Sequence, residues 1–156
     1  MKSLTLPSRA LYEDEILKFM TEVPGFRGCY MRDELPAPQT TQNDESGILN
    51  LNSHELAGSH WCAWIIQNRQ KHYFDSYAAR PPVELIRYLK TPSELASDEP
   101  IIKTNATICQ HDDTAECGSL CIYFIVQMVK RGKQFHSVIE DLHNRYLKKV
   151  TPRLKI

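Results

Sequence analysis

The sequence has no surplus of charge: its 156 residues carry 19 basic and 19 acidic side chains. Without a net field there is no long-range pull onto nucleic acid or anionic lipid, so a chain built mainly to bind either is not expected; a local basic patch is compatible with the balance. No apolar run is long enough to cross a bilayer. The longest, Leu120 to Val126, extends only through Met128 and Val129 before Lys130 and Arg131 interrupt it. None of the five cysteines, at positions 29, 62, 109, 117 and 121, stands in a CxxC pair, and an odd count leaves at least one thiol unpaired in any disulfide scheme. Reduced thiols and an intracellular setting are expected. The start of the chain, Met1 to Arg9, has one early charge but no apolar stretch of the kind a secretory leader needs, so secretion is not expected. Internal repeats and low-complexity tracts are lacking. One domain over residues 1–156 is expected, able to bury roughly 68 to 70% of its unfolded surface without metal or disulfide support.

What the sequence does contain is a cysteine at the start of an apolar helix. Cys117, Gly118 and Ser119 precede the run from Leu120, and a helix apolar nearly all round belongs in a core. At its N-terminus, unpaired backbone N–H groups and the helix dipole favour negative charge, which is where a thiol becomes a thiolate. The plainer alternative is that Cys117 is one more buried thiol, the commonest fate of free cysteine.

The rest of the chain supplies a setting. Residues 1–8 read as a flexible arm, and Arg9 to Glu22 as an amphipathic helix stopped by Pro24 and Gly25. Phe26 to Pro36 has no clean period, and residues 37–46 read as an exposed, turn-rich loop. Gly47 to Asn52 predicts a strand. Trp61 to Gln67 predicts a second, covered on both faces, and His72 to Ser76 its hairpin partner after a polar turn. Pro81 and Pro82 open a helix over Val83 to Lys90, and Ser93 to Ala96 suits a short turn. Ile101 and Ile102, then Ala106 to Cys109, read as strands. The central helix should end at Gly132, and Ser137 with Glu140 has the capping-box pattern that starts a last helix to about Lys149. The expected fold class is α+β: a small, mostly antiparallel sheet packed by helices, with a buried central helix carrying the nucleophile at its N-terminus.

An antiparallel hairpin brings the residue entering its first strand and the residue leaving its second to one end of the sheet, so His60 and Asp75 should meet. A cysteine nucleophile needs a base, and the base needs a third group to hold its tautomer. His60 and Asp75 fill those two places beside Cys117. Gln110, in the preceding loop, can offer its side-chain amide to a developing oxyanion, with the Cys117 backbone N–H as second donor. Each residue has a structural alternative: a satisfied core histidine, a turn-forming aspartate, an ordinary loop glutamine. Asp112, Asp113 and Glu116 count against an activated thiolate, because acidic neighbours disfavour it. His54, His60, His72 and His111 with Cys109 and Cys117 show none of the tight paired spacings of metal frameworks, so no metal is expected.

The order His, Asp, Gln, Cys, with Gly58-Ser59-His60-Trp61, Tyr73-Phe74-Asp75-Ser76 and Gln110 seven positions before Cys117-Gly118, resembles the adenovirus-type cysteine proteases and the related SUMO-deconjugating proteases. Two further stretches resemble the viral, Polinton-type, adenain-like branch. Phe26 to Pro36 is similar to its N-terminal "G-v-f-x-x-D-x-L-P" signature, and Gly47 to Asn52 to its "NLD" strand, with Asn52 where aspartate is usual. The likeness covers residues 12 to 130 or so. It implies a thiol endopeptidase with His60 as general base, Asp75 orienting it, Cys117 attacking and Gln110 in the oxyanion hole. Trp61 and Gly118 would support the site, and Asp33 and Asn50, within the two branch motifs, would touch substrate. The adenovirus enzyme carries glutamate at the orienting position; aspartate there sides with the ubiquitin-like branch and keeps the chemistry.

The resemblance further implies protein substrates, capsid or core precursors cut at small-residue, often glycine, sites, by a monomer working in the virion and the host-cell interior. It implies no cofactor. A DNA activator of the adenovirus kind is not expected, because the chain is not basic overall, and a disulfide-joined peptide activator is not expected, because Cys62 lies in an inner strand and Cys29 is expected to be buried as well. The alternatives on the same plan are a deconjugase for ubiquitin-like proteins and an acetyltransferase. The latter generally needs additional sequence for acetyl-CoA and inositol phosphate. A binding module without activity would predict a damaged constellation, yet all four positions are filled.

Overall fold

The computed structural model describes residues 3–52 and 60–156; His54, Gly58 and Ser59 lie outside the described residues. Five strands form one sheet in the order β1 (Phe26–Met31), β2 (Glu45–Asn50), β3 (Trp61–Gln67), β4 (Gln70–Phe74) and β5 (Ile102–Thr104). The two central pairings, β2 with β3 and β3 with β4, are antiparallel, whereas β1 on β2 and β5 on β4 are parallel. The sheet is therefore mixed, and the class is α+β as expected.

Strand β3 explains the organisation. Trp61, Ala63 and Ile65 point to one face, and Cys62, Trp64 and Ile66 to the other, so a strand apolar at every position feeds two cores. On the first face lie helices α1 (Glu13–Phe19), α4 (Cys117–Ile125) and α5 (Phe135–Leu147), with Ile16, Leu120, Phe124, Val138 and Leu142 buried against the sheet. On the second, α2 (Val83–Leu89) contributes Leu85, Tyr88 and Leu89. A single turn, α3 (Pro92–Leu95), is closed by a capping box in which Thr91 and Glu94 satisfy each other's backbone. Helix α4 runs on through a widened π turn, Val126–Lys130, marked by the Arg131 N–H reaching the Val126 carbonyl at 3.1 Å, and stops at Gly132, whose φ of 67° favours glycine.

Several expectations need correction. The loop at 37–46 gives way at Glu45 and Ser46, which open β2 and are buried. The Glu45 carboxylate accepts hydrogen bonds from Trp64 Nε1 (2.8 Å) and the Tyr88 hydroxyl (2.7 Å), so a residue that reads as loop polarity is a satisfied anchor between sheet and helix. The aperiodic segment after Gly25 contains β1, an edge strand half-exposed throughout, which is why no alternation shows. Ala106 to Cys109 is not a strand; it is joined to the sheet end only through the Cys109 N–H on the Ser76 carbonyl (2.8 Å) and side-chain bonds. Over residues 3–8 the expected flexible arm is docked: Leu4 and Ile156 exchange backbone hydrogen bonds, the Leu6 N–H donates to the Leu154 carbonyl, Leu6 is buried, and the Ser119 hydroxyl donates to the Pro7 carbonyl at 2.6 Å. The Ser137–Glu140 capping box does not form, because α5 already begins at Phe135 with Gln134 as its N-cap.

Candidate functional site

The site is assembled where β3 begins, where β4 ends and where α4 starts. The register pairs Ala63 with Phe74, and one step further it sets Cys62 opposite Asp75, leaving His60 diagonal to the carboxylate. His60 Nε2 and Asp75 Oδ1 are 3.0 Å apart. Asp75 is fully buried and each of its oxygens is used: Oδ1 also accepts from the Tyr77 N–H (2.8 Å), and Oδ2 from the Cys62 thiol (3.5 Å). Its backbone is clamped as well. The Asn105 side chain accepts from the Asp75 N–H (3.1 Å) and donates to the Asp75 carbonyl (2.7 Å), a side-chain amide continuing the ladder where β5 has ended. The turn beyond closes through the Ala78 N–H on the same carbonyl, with Ala78 at a φ of 59° that a residue with a Cβ seldom adopts. The Tyr77 ring stacks on the imidazole at 5.1 Å.

Burial pulls the His60 imidazolium down, but hydrogen bonds to Asp75, Cys117 and Cys62 outweigh it and hold the ring well above its ordinary value. The charged form is the favoured one. Two thiols lie near that ring and they differ. Burial pushes the Cys62 thiol up to about 11, so it remains a thiol, donating to Asp75. Cys117 is the first residue of α4, its Sγ accepts from the Trp61 backbone N–H (3.5 Å), and it is hydrogen-bonded to His60. A thiol at a helix start with a histidine in hydrogen-bond contact has the nucleophile and base side by side.

The acidic neighbour that argues against a thiolate in the sequence is answered in the fold. Glu116 is buried and takes both Arg145 guanidinium nitrogens at 3.0 Å, a fork that keeps its charge from standing alone beside Cys117. Gln110 is also fixed. The Ser76 hydroxyl donates to its Oε1 (2.6 Å), and its Nε2 donates to the Thr114 carbonyl (3.0 Å); because that carbonyl can only accept, the amide orientation is determined and one N–H remains. Trp61 donates Nε1–H to the Leu11 carbonyl (3.1 Å). A Cβ on Gly118 would come within 3.3 Å of Leu11 and 3.4 Å of the Trp61 ring, so the small residue lets the first turn of α4 close on both.

His60, Asp75, Cys117, Gln110, Trp61 and Gly118 thus fall in one place; Asp33 and Asn50 do not join them. Asn50 is fully buried in β2, with its Oδ1 accepting from the Asn52 N–H (2.9 Å) and its Nδ2 without a hydrogen-bond partner among the described residues. Asp33 is exposed in the turn after β1. The residues that sequence reasoning missed are Ser76, Tyr77, Asn105, Cys62 and Arg145. For Ser76 and Tyr77 adjacency to Asp75 was a signal; Asn105 and Arg145 carry none, since only the fold brings them in from 30 and 29 positions away.

Among the described residues, His60, Cys62 and Asp75 are the group whose donor atoms, within 4.8 Å of one another, match a metal site in number. Here the Cys62 thiol and the His60 ring are both hydrogen-bonded to the Asp75 carboxylate, so the three are already joined to one another. His111 is engaged with the Tyr146 carbonyl at 2.9 Å.

Fold and site together define an α+β chain with a cysteine, histidine and aspartate converging at a helix N-terminus. No family model and no curated protein matches it. Among solved structures it is similar to the ASFV protease, at 22% identity and a TM-score of 0.48 over 67% of this chain and 43% of that one. It is also similar to the SUMO protease Ulp1 with its catalytic cysteine oxidised to a sulfonic acid, at 16% and 0.49 over 88% and 76%. The central domain of an uncharacterised Legionella pneumophila protein aligns at 14% and 0.48, over 87% of each chain. The chain spans less than half the length of the ASFV protease, and the roles argued for its residues rest on their geometry.

Proposed function

We propose that the protein is a cysteine endopeptidase, a thiol hydrolase in which Cys117 attacks the scissile carbonyl. The observation that carries this reading is His60, bonded to a buried and fully coordinated Asp75 at 3.0 Å and to Cys117 at the start of α4. The sulfur–carbonyl bond forms while the carbonyl oxygen gains charge, which the Cys117 N–H and the remaining Gln110 N–H receive. His60, as imidazolium, gives its proton to the leaving amine. It then takes one from water as the thioester is hydrolysed, and Asp75 keeps the tautomer right throughout. The residues perform each step without a metal or organic cofactor.

The substrate class rests on the motif resemblance: viral capsid or core precursor proteins, cut at glycine or other small-residue sites by a monomer in the virion and host-cell interior. Exposed Asp33 is kept as a substrate contact on the same ground. Mapping the sites modified by a limiting dose of a thiol-directed vinyl sulfone, by peptide mass spectrometry, tests the assignment of the nucleophile. Cys117 should be labelled ahead of the other four thiols, and His60→Ala should abolish that preference. Labelling spread over Cys29 and Cys117 alike, unaffected by His60→Ala, would overturn it.

A further inference from the structure

A wide groove lies away from this site. It opens at the hairpin end of the sheet, ~20 Å along β3 from Trp61 at ~3.3 Å per residue, and encloses about 1030 Å³ between β4, β5 and the start of α5. In a chain with as many acidic as basic residues, none of the groove's lining residues is acidic, while Lys103, Lys133 and His136 all border it. Helix α5, 13 residues long, begins in its wall with no side-chain cap and no acidic residue in its first turn. The N–H groups of Phe135, His136 and Ser137 are therefore left without helical acceptors, and the positive end of the dipole is not neutralised. A second observation is independent of the helix. His72, in β4, lines the same groove, is only 3% exposed, stacks on Phe135 at 5.0 Å, and has an Nδ1 without a hydrogen-bond partner.

We propose that this groove binds a phosphate group at the N-terminus of α5, held by the first-turn N–H groups with Lys103 and Lys133 as counter-charges and His72 beneath. A tetrahedral dianion has enough acceptor oxygens for several convergent N–H donors, and two flexible ammonium groups serve it as point charges. The Lys133 ammonium is 3.9 Å from the Asp141 carboxylate, a long ion pair between two side chains about half-exposed, which a dianion in the groove can compete for. Lys103 is exposed on the edge strand. The groove shares no residue with the Cys117 site, so this inference stands apart from the peptidase reading.

The test is a titration of the full-length 15N-labelled protein with inorganic phosphate, ionic strength held constant with chloride, followed by amide and histidine-ring NMR. Saturable shifts at the amides of Phe135, His136 and Ser137 and at the His72 ring are expected. The double variant Lys103→Gln, Lys133→Gln, with the rest of its spectrum unchanged, should bind roughly tenfold more weakly. A short single-stranded oligonucleotide in place of phosphate distinguishes the source. Shifts of the same amides at lower concentration mean a nucleic-acid backbone phosphate, and an effect of phosphate alone means a small phosphorylated molecule; either supports the site. Shifts that never saturate, or that are equal in the double variant, overturn it.

Discussion

At the scale of single residues, the site's character is set less by Cys117 than by what surrounds its base. Three donors converge on the Asp75 carboxylate, from His60, the Tyr77 N–H and Cys62, so the group is fixed before any substrate arrives. Asp75→Asn replaces an acceptor-only carboxylate by an amide and lets the imidazole adopt the wrong tautomer. The fold should persist, with an unchanged circular dichroism spectrum, while peptide hydrolysis falls on the order of 10³ to 10⁴-fold; an unchanged rate would reduce Asp75 to a turn former. This part of the site was legible in the sequence because hairpin geometry alone brings His60 and Asp75 together. The Arg145 pairing of Glu116 was not. The sequence showed a carboxylate next to the candidate nucleophile and nothing to say that a guanidinium arrives from the last helix.

At the scale of elements, two contacts deserve measurement. Arg145 on α5 closes a buried fork with Glu116, the residue that precedes α4. Arg145→Met leaves that carboxylate buried and unpaired, which should cost about 3–5 kcal/mol in urea unfolding. Arg145→Met with Glu116→Gln should recover part of the loss. In β2, a Cβ on Gly47 would sit 2.1 Å from the Trp64 ring, so Gly47→Ala must displace the largest side chain of the second core. A loss of about 3 kcal/mol or more is expected, with a changed tryptophan fluorescence maximum. Elements were readable where apolar residues run unbroken, as in β3 and α4, whereas β4 runs Gln70–Phe74, two residues earlier than the expected His72 to Ser76, because Gln70 and Lys71 read as turn polarity. They were misread where a buried polar residue imitates a loop, as Glu45 does, and where a capping pattern in sequence lost to an earlier helix start, as at Ser137. The docking of residues 3–8 on the C-terminal segment was not legible either, since it is a backbone bridge between the two ends of the chain.

At the scale of the whole molecule, two histidines are displaced in opposite directions, and each ties stability to pH. Burial, with Lys103 nearby, lowers His72 to about 4, so the folded state holds it neutral while the unfolded chain takes a proton below the ordinary value near 6.5. Its contribution is present above ~6.5 and is lost as pH falls toward 4, about 3 kcal/mol in all. His60 is raised, so its contribution is complete below ~6.5 and is lost as pH climbs through its folded value. Thermal melts from pH 4 to 8 should show a falling acid limb in the wild type that is flattened in His72→Gln. An equally steep limb in that variant would place the acid sensitivity elsewhere.

The central claim is that Cys117 is the nucleophile that breaks peptide bonds. It is tested most directly by incubating a proteome-derived peptide library with the wild-type protein and with Cys117→Ala, reading new termini by mass spectrometry. The account predicts cuts by the wild type alone, grouped after glycine or another small residue, with at least ~10⁴-fold less cleavage by the variant. Cuts that persist in Cys117→Ala within a factor of ~10 of the wild-type rate would contradict it.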